Sequence, residues 1–329
     1  MSITKKEQKV INKIQSRLSS CADCESWDEG EPLWLWGDAT DIYNLLADSE
    51  IEDNRKEVIA FEFKCPNCSC ELELMSKVSI KRKYELELEK HIFQSMKKYG
   101  NSLKDFEALI RDYPFLALNH TIGKKIFREV SKKKIAQTTI KADTVLYRSR
   151  LCESSKILGS NDLFNPPLGV PTEGRFNHNG QSYFYLCNEE EGSILEISEN
   201  ELVWTQTFKI DEEIDNILDL SFDYEEVSLS TDALLICLHL SEIFKKNSTN
   251  KGNWKPDYFI TRFVMDCAKK SGYSGIKYNS IKMYSSMNYV LFDIKNKNIK
   301  PLDEPEVKKY SQKNIRDRDF SFLDSLKDI

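Results

Sequence analysis

The first part of the chain carries hydrophobic residues at helical spacing. Residues 38–47 open with residues that favour helix N-caps and then place apolar side chains, beginning with Ile42, on one face. Pro114 is expected to interrupt the helical pattern. Further helices are predicted over residues 76–99, 103–110 and 119–134. The last of these is a basic stretch that is expected to have a solvated face. The pattern therefore predicts a helical N-terminal domain over residues 1–138.

From about residue 141 the pattern changes to short runs rich in β-branched and aromatic residues, separated by turn signals. These runs predict strands over residues 144–150, 182–187, 194–197, 202–210, 276–279 and 287–294. Two helical stretches interrupt them, at residues 231–244 and 254–270. The pattern predicts an α+β domain over residues 139–300. A charge-dense tail follows over residues 301–329, and its aromatic end, DFSFLDSL, is a candidate docking helix.

The composition is that of a globular protein with an acidic balance. The 329 residues include 47 Lys+Arg and 53 Asp+Glu, which gives a formal net charge of −6. No long basic stretch stands clear of acidic neighbours, so nucleic-acid binding is not expected to be the main activity. The N-terminus lacks the pattern of a signal peptide, and the longest apolar run, residues 233–240, is far shorter than the roughly 20 residues of a membrane helix. We therefore expect a cytoplasmic protein without membrane segments.

Five of the nine cysteines fall within the first 70 residues. Cys21 and Cys24 form one CxxC pair, and Cys65 and Cys68 form a second pair in a CPxC turn. Two such pairs about 40 residues apart suit a tetrahedral zinc ion, because each turn presents two thiolates to one metal. Four thiolates leave no open coordination position, so the predicted zinc is structural. Cys70 is a competing ligand or a spare thiol, and the alternative is a set of buried free cysteines.

Several polar residues of the second domain differ from their surroundings. Arg148 interrupts a predicted strand, and Arg175 and Asn177 lie in a loop bracketed by glycines. Tyr185 ends an aromatic run, and Glu196 follows eleven residues later among aliphatic side chains. A carboxylate in such a run is costly to bury unless it is paired or functional. Each residue alone also fits an ordinary structural role, such as a solvent-facing strand arginine or a core tyrosine.

The order of these residues resembles the RES domain family. The match consists of Leu-Tyr-Arg at 146–148, Gly-Arg-Phe-Asn at 174–177, Gly180 five residues before Tyr185, and then Glu196. It continues with three C-terminal segments, residues 258–262, 272–280 and 288–292. Together the matched motifs cover roughly residues 141–296.

This resemblance implies an ADP-ribosyltransferase-like fold and an activity that consumes NAD⁺, as in the toxins of RES-type toxin–antitoxin systems. By position, Arg148 and Arg175 match arginines that line the NAD⁺ pocket, and Tyr185 matches the aromatic residue at the nicotinamide. Glu196 matches the catalytic glutamate. The resemblance thus implies Glu196, Arg148 and Tyr185 as catalytic residues. Further matched residues are expected to bind substrate, namely Asn177, Ser280 and Asn288.

Some positions leave alternatives open. Arg150 is a second candidate for the first arginine, and Tyr183 offers a second aromatic ring. The family's usual Thr-Gln after the C-terminal tyrosine reads Thr261-Arg262 in this chain. His178 is a candidate base, although a lone loop histidine is more often a surface residue.

The residue types fit cleavage of the nicotinamide–ribose bond. Departure of neutral nicotinamide leaves positive charge on the ribose, and a carboxylate such as that of Glu196 stabilises this charge. Guanidinium groups bind a diphosphate bidentately, which favours arginine over lysine in the site. The nucleophile stays open, because water makes a glycohydrolase, inorganic phosphate a phosphorylase, and a protein side chain an ADP-ribosyltransferase.

The N-terminal domain resembles the helical HEPN-type domain found fused to RES domains. Ribonucleases of that superfamily carry an arginine and a histidine separated by a short gap, whereas Arg111 precedes His120 by nine residues. We therefore expect a structural or sensing domain, with an RNA-binding or RNA-cleaving module as the alternative. The chain is interpreted as an NAD⁺-degrading toxin or anti-phage defence effector. Its expected partners are NAD⁺ and an antitoxin or trigger protein, and self-association is left open.

Overall fold

The computed structural model describes residues 3–28, 31–34, 36–133, 135–152, 156–221, 228–240, 254–283, 286–293 and 298–310. These residues fall into two compact units that divide between Gln94 and Ser95. The chain combines helices with strands, and the predicted α+β class is confirmed. The two units are described separately below.

The first unit contains a small sheet and short helices. Its elements are α1 (Lys5–Gln15), β1 (Leu18–Cys21), β2 (Ser26–Asp28), β3 (Glu31–Leu33), β4 (Asp38–Asp41), α2 (Ile42–Ala47), α3 (Asp53–Ala60), β5 (Lys77–Ile80) and the first part of α4 (Lys83–Asp112). The antiparallel strand order is β1-β5-β4, and β2 and β3 form a separate hairpin. One core joins the helices to the sheet and includes Ile11, Ile42, Leu46, Ile59, Phe63 and Val78.

Side-chain caps fix the starts of two helices in this unit. Thr4 and Glu7 form a capping box at α1, in which each side chain binds the backbone N–H of the other residue. The carboxylate of Asp41 accepts the backbone N–H of Asn44 at the start of α2. Glu7 also pairs with Arg55 of α3 at 2.7 Å, which links α1 to α3.

The predicted boundaries of three helices were wrong. Residues 38–41 and 77–80 are paired strands, so the helices begin at Ile42 and Lys83 rather than at residues 38 and 76. Short strands depend on partners that are distant in the sequence, and local periodicity does not reveal those partners. The predicted helix at 103–110 is part of α4, because Gly100 does not interrupt the helix.

The second unit is built on one large sheet. After α4 its elements are α5 (Thr121–Ser131), β6 (Gln137–Ile140), β7 (Val145–Leu151), α6 (Ser160–Leu163), β8 (Phe184–Cys187), α7 (Glu190–Ile197), β9 (Val203–Ile210), β10 (Ile214–Asp219), α8 (Ala233–Leu240), α9 (Phe259–Lys270), β11 (Gly275–Asn279), β12 (Met287–Leu291), β13 (Ile299–Pro301) and β14 (Glu306–Lys308). The strand order is β13-β9-β7-β8-β12-β11-β10-β6, and β14 also pairs with β9. Paired strands are antiparallel except for the parallel pair of β10 and β11.

Alternation near β8 indicates that both faces of this sheet are covered. Tyr183 and Tyr185 contact a core that includes residues of α4, α5, α8 and α9, whereas Phe184 and Leu186 belong to a second core with residues of β7 and β9. The basic helix α5 contributes a buried face to the first core through Ile122, Ile126 and Val130. Its predicted solvated surface is therefore only one side of the helix. A 3-10 helix, Pro114–Asn119, separates α5 from α4, as the proline predicts.

The prediction of a strand at residues 194–197 was wrong. These residues form the last part of α7, in which the buried residues from Gly192 to Leu195 are consecutive rather than alternating. A four-residue apolar run has no periodicity that separates a strand from a helix. As a result, Glu196 is presented by the C-terminal end of a helix.

The sheet continues beyond residue 300 through β13 and β14, and Lys308 pairs with Glu190 of α7 at 2.5 Å. The candidate docking helix of the tail and residues 241–244 of the predicted helix lie outside the described residues. Among the residues that are described, none of the helices combines the length and the apolar character needed to cross a membrane.

Candidate functional site

The five N-terminal cysteines lie together in the first unit. The sulfur of Cys21 is 3.7 Å from that of Cys24, 3.6 Å from that of Cys68 and 3.5 Å from that of Cys70. Cys24 is also 3.7 Å from Cys65, and Cys68 is 3.3 Å from Cys70. A Zn–S bond of about 2.3 Å places the sulfurs of a tetrahedral site about 3.8 Å apart. The cluster is therefore compact enough for a tetrahedral metal ion.

The turn that carries the last three cysteines is held by its own backbone. The Cys65 N–H donates to the Cys70 carbonyl at 2.9 Å, and the Ser69 N–H donates to the Cys65 carbonyl at 2.9 Å. The Asn67 side-chain amide donates to the sulfur of Cys24 at 3.3 Å. Burial raises the pKa of Cys65 to about 11, so this thiol holds its proton at neutral pH unless a cation displaces it.

The cluster contains one sulfur more than a tetrahedral site needs. The sulfurs of Cys21, Cys65, Cys68 and Cys70 all lie within 4.8 Å of one another. Cys24, which the sequence predicted as a ligand, lies beside two of them. The structure brings the four predicted cysteines together and adds Cys70, and the set whose sulfurs all lie within 4.8 Å of one another contains Cys70 in place of the predicted Cys24.

A cavity of about 660 Å³ opens in the second unit. Its wall includes residues of β7, β8, α7 and β12, together with the loops before α9 and after β11. Five of the residues that the sequence singled out line it, namely Arg148, Arg175, Tyr185, Glu196 and Asn288. Asn177 and Ser280 do not line the cavity, but each forms a hydrogen bond with one of the five.

Two neighbouring strands hold the carboxylate of Glu196. Its Oε1 accepts hydrogen bonds from Ser280 Oγ and from Asn288 Nδ2, both at 2.7 Å. Ser280 directly follows β11, and Asn288 lies on β12, which pairs with β11. Ser280 Oγ also accepts the N–H of Lys282 and of Met283, so its own proton is directed to Glu196. These bonds fix the orientation of a carboxylate that is otherwise exposed.

Buried hydroxyl groups attach α7 to the sheet below it. Ser193 of α7 lies 2.8 Å from Ser149 of β7, which in turn lies 2.9 Å from Thr205 of β9. A Cβ atom at Gly192 would lie 2.4 Å from Ser286 Oγ, so only glycine allows this close approach. The helix that presents Glu196 is therefore packed closely against the sheet and hydrogen-bonded to it.

Arg148 places a cationic group at the cavity wall. One of its amino groups, Nη1, donates to the Tyr185 carbonyl at 3.4 Å, and its guanidinium lies 5.1 Å from the centroid of the Phe184 ring. Its Nε has no hydrogen-bond partner among the described residues. Burial and the nearby charge of Arg150 lower the pKa of Arg148 to about 9, so the group remains charged at neutral pH. A half-buried cation of this kind favours an anionic ligand.

The three alternative candidates from the sequence, Arg150, Tyr183 and His178, do not line this cavity. Arg150 donates to the Asp162 carbonyl and lines a different cleft. Tyr183 is buried in the core, where its ring packs against Phe292, and it does not line the cavity. His178 lies 2.9 Å from Asp266 and is also not part of the cavity wall.

The Gly-Arg-Phe-Asn turn and Tyr185 hold each other in place. Asn177 donates to the carbonyls of Thr172 and His178 at 2.9 and 3.0 Å, and its Oδ1 accepts the Tyr185 hydroxyl at 2.9 Å. The same hydroxyl accepts the Phe176 N–H at 3.1 Å. Burial raises the pKa of Tyr185, which keeps the hydroxyl protonated as a donor.

Replacing Tyr185 by phenylalanine should lower the free energy of unfolding by about 1–3 kcal/mol, because it leaves Asn177 Oδ1 and the Phe176 N–H without this partner. Urea unfolding of the purified variant measures this change. Tyr289→Phe is the matched control, since no hydrogen bond of its hydroxyl occurs within the described residues, and it should change stability by less than about 0.5 kcal/mol. Equal stability of Tyr185→Phe and wild type would contradict the role given to this hydroxyl.

Sequence reasoning missed two lysines of the cavity wall. Lys255 donates to the Glu173 carbonyl at 3.0 Å, and Lys282 pairs with Glu199 at 3.2 Å. Lysines are abundant in the chain, so neither differed from its surroundings. The feature of the sequence that could have indicated Lys282 is its position two residues after the predicted site residue Ser280.

Comparison with known proteins identifies the C-terminal part of the chain. Residues 139–313 match the family model described as the RES domain. Among solved structures, the chain is similar to one from the crystal structure of the M. tuberculosis MbcT–MbcA toxin–antitoxin complex, with 9% identity, a TM-score of 0.34, and coverage of 62% of this chain and 97% of that chain. No curated protein matches the chain. The RES match covers more than half of the 329 residues and contains every residue of the cavity wall, so the chain belongs to the RES domain family.

Proposed function

We propose that this protein cleaves the bond between nicotinamide and ribose in NAD⁺, as a glycohydrolase or a phosphorylase. The observation that carries this proposal is the carboxylate of Glu196, held by Ser280 and Asn288 at a cavity that Arg148 and Arg175 also line. Membership of the RES family supports it. The volume of about 660 Å³ lies in the range of cofactor pockets, which is roughly 300–1,000 Å³.

Glu196 is assigned the role of stabilising the ribose cation. When neutral nicotinamide leaves, positive charge is shared between the anomeric carbon and the ring oxygen of the ribose, and a fixed carboxylate lowers the energy of this state. Both protein hydrogen bonds go to Oε1, so Oε2 has no partner among the described residues. Oε2 is the oxygen that remains for the 2′-hydroxyl or the ribose cation.

Arg148 and Arg175 are assigned to the diphosphate of NAD⁺. A guanidinium group binds two phosphate oxygens at once, and burial strengthens the attraction. Arg175 is 9% exposed, and its guanidinium lies 5.0 Å from the centroid of the Tyr258 ring. Tyr185, fixed through its hydroxyl, offers its ring to the nicotinamide.

The nucleophile determines which product forms. Attack by water gives ADP-ribose, and attack by inorganic phosphate gives ADP-ribose 1″-phosphate, with release of nicotinamide in both cases. Transfer to a protein side chain gives ADP-ribosylated protein. An RNA-cleaving role has no support in the described residues, because His120 caps α5 and stacks on Phe106, while Arg111 pairs with Glu107.

Incubation of the full chain with NAD⁺ tests the proposal. We expect nicotinamide release, followed by liquid chromatography, together with one of the two sugar products, identified by mass spectrometry with and without phosphate. A third reaction includes candidate acceptor proteins, which are examined for added ADP-ribose. Absence of nicotinamide in all three reactions would refute the proposed function.

The cellular role is proposed from the family. An enzyme that consumes NAD⁺ needs restraint, so we propose that this chain acts in the cytoplasm as a toxin or defence effector controlled by an antitoxin or trigger protein. The part of the chain that precedes the RES domain, which we propose is a HEPN-like domain over residues 1–138, would then act as a structural or sensing domain.

We also propose that the cysteine cluster holds one structural zinc ion. Cys21, Cys65 and Cys68 supply three thiolates, and Cys24 or Cys70 supplies the fourth. Five of the distances between these sulfurs lie from 3.3 to 3.7 Å, close to the spacing in a tetrahedral zinc site, and this supports the proposal. With four thiolates the metal has no free position for substrate, so its role is to stabilise the first unit.

A further inference from the structure

One arginine next to the cavity is almost completely buried but does not line the cavity wall. Arg262 lies on α9, is 2% exposed, and is among the largest fully buried side chains of the protein. Burial lowers the pKa of Arg262, and the carboxylate of Glu173 acts against this shift. A buried guanidinium is tolerated only where its donors are satisfied. Its partners therefore indicate why it is there.

The guanidinium nitrogens of Arg262 reach two segments beside the cavity, residues 173–174 and residue 255. Nε donates to the Gly174 carbonyl at 3.1 Å, and Nη2 donates to the Lys255 carbonyl at 3.1 Å. Nη1 lies 2.9 Å from Oε2 of Glu173. Lys255 in turn donates from Nζ to the Glu173 carbonyl at 3.0 Å. Glu173, Gly174 and Lys255 are thus joined through one side chain.

The next residue along this segment is Arg175, which is attached to the same helix. Its carbonyl accepts the hydroxyl of Thr261 at 2.5 Å. The guanidinium of Arg175 and that of Arg262 lie 5.0 and 6.0 Å from the centroid of the same Tyr258 ring. The backbone carbonyls of Gly174 and Arg175 are therefore both hydrogen-bonded to side chains of α9.

We propose that Arg262 is a positioning residue that holds Arg175 and Lys255 at the cavity, an inference that rests on the proposed binding of NAD⁺. Glu173 neutralises the buried charge, so the arginine does not repel the two cations it positions. Arg262 does not contact the substrate and acts through the backbone of Gly174 and Lys255. Its effect is on the affinity for the diphosphate, and bond cleavage at Glu196 is left unchanged.

Arg262→Lys tests this role, because lysine keeps the charge beside Glu173 but cannot span the two carbonyl groups. We expect the KM for NAD⁺ to rise about 10-fold, with kcat changed by less than about 2-fold. In an Arg175→Ala background, the same substitution should lower kcat/KM by less than about 3-fold, because the group it positions is missing. An effect of equal size in both backgrounds would overturn the proposal, as would a fall in kcat at unchanged KM.

Lys141→Met is the matched control. It removes an exposed ion pair with Glu213, formed at 3.2 Å, and should leave KM and kcat unchanged. Hydrogen exchange of the backbone amides of residues 174–177 gives a readout without turnover, and it should become about 10-fold faster in Arg262→Lys than in Lys141→Met. If wild type does not cleave NAD⁺, the proposed function fails, and this exchange rate alone decides the positioning role. Unchanged exchange would overturn it.

Discussion

Replacing Glu196 by glutamine should slow nicotinamide release by on the order of 10²–10³-fold while the protein stays folded. The amide oxygen of glutamine still accepts the hydrogen bonds that Ser280 and Asn288 donate to Oε1. What is lost is the negative charge to which we assign the stabilisation of the ribose cation. The rate constant kcat, measured with saturating NAD⁺, reports this loss directly.

Glu201→Gln is the control for this experiment. Glu201 is exposed and close in sequence to Glu196, but it is not part of the cavity wall. It should retain wild-type kcat, and both variants should match wild type in urea unfolding. A Glu196→Gln enzyme with more than about one fifth of wild-type kcat would show that another group carries the charge stabilisation.

Replacing Cys65 by serine should remove zinc and unfold the first unit. Structural zinc sites contribute on the order of 10 kcal/mol of apparent binding free energy, and about 1 kcal/mol shifts the Tm of a domain of this size by about 4–8 °C. We therefore expect the Tm of the first unit to fall by more than about 15 °C. Metal analysis should find one equivalent of zinc in wild type and less than about half an equivalent in the variant.

Three further variants sharpen this test. Comparison of Cys24→Ser with Cys70→Ser identifies the fourth ligand, because only the true ligand should cost the protein its zinc. Cys152→Ser removes a thiol of the second unit that lies outside the cluster, and it should leave zinc content and Tm unchanged. Wild-type protein with less than about half an equivalent of zinc would contradict the metal site, as would a Cys65→Ser/Cys68→Ser protein of unchanged stability.

The sequence was sufficient to locate the cavity but not to explain its geometry. Ordered short motifs identified Arg148, Arg175, Tyr185 and Glu196, because each keeps its spacing to a neighbouring glycine or aromatic residue. The bonds that orient Glu196 join residues that are 84 and 92 positions apart, and no local pattern predicts such pairs. Its helical setting was missed for a related reason, since packing against β7 determines the conformation of α7.

The burial and the contacts of Arg262 could not be predicted from the sequence either. The sequence marked the position as a departure from the family pattern, but its identity alone did not distinguish a surface residue from a buried one. The proposed role rests instead on the arrangement of the Gly174 and Lys255 carbonyls around the guanidinium. Lys255 and Lys282 were missed because they differ from the other lysines of the chain only in their position at the cavity wall, which the sequence does not show.

The pairing of two short strands with β9 also protects the protein from unwanted association. β13 covers the Phe208–Ile210 end of β9 and β14 covers the Val203–Thr205 end, while Asp303 between them accepts the side-chain amide of Gln206. Each covering strand has only three residues, and together they present Pro301 and charged side chains at the border of the sheet. Such a border is a poor template for the strand of another molecule, so the long strand β9 is shielded from edge-to-edge aggregation.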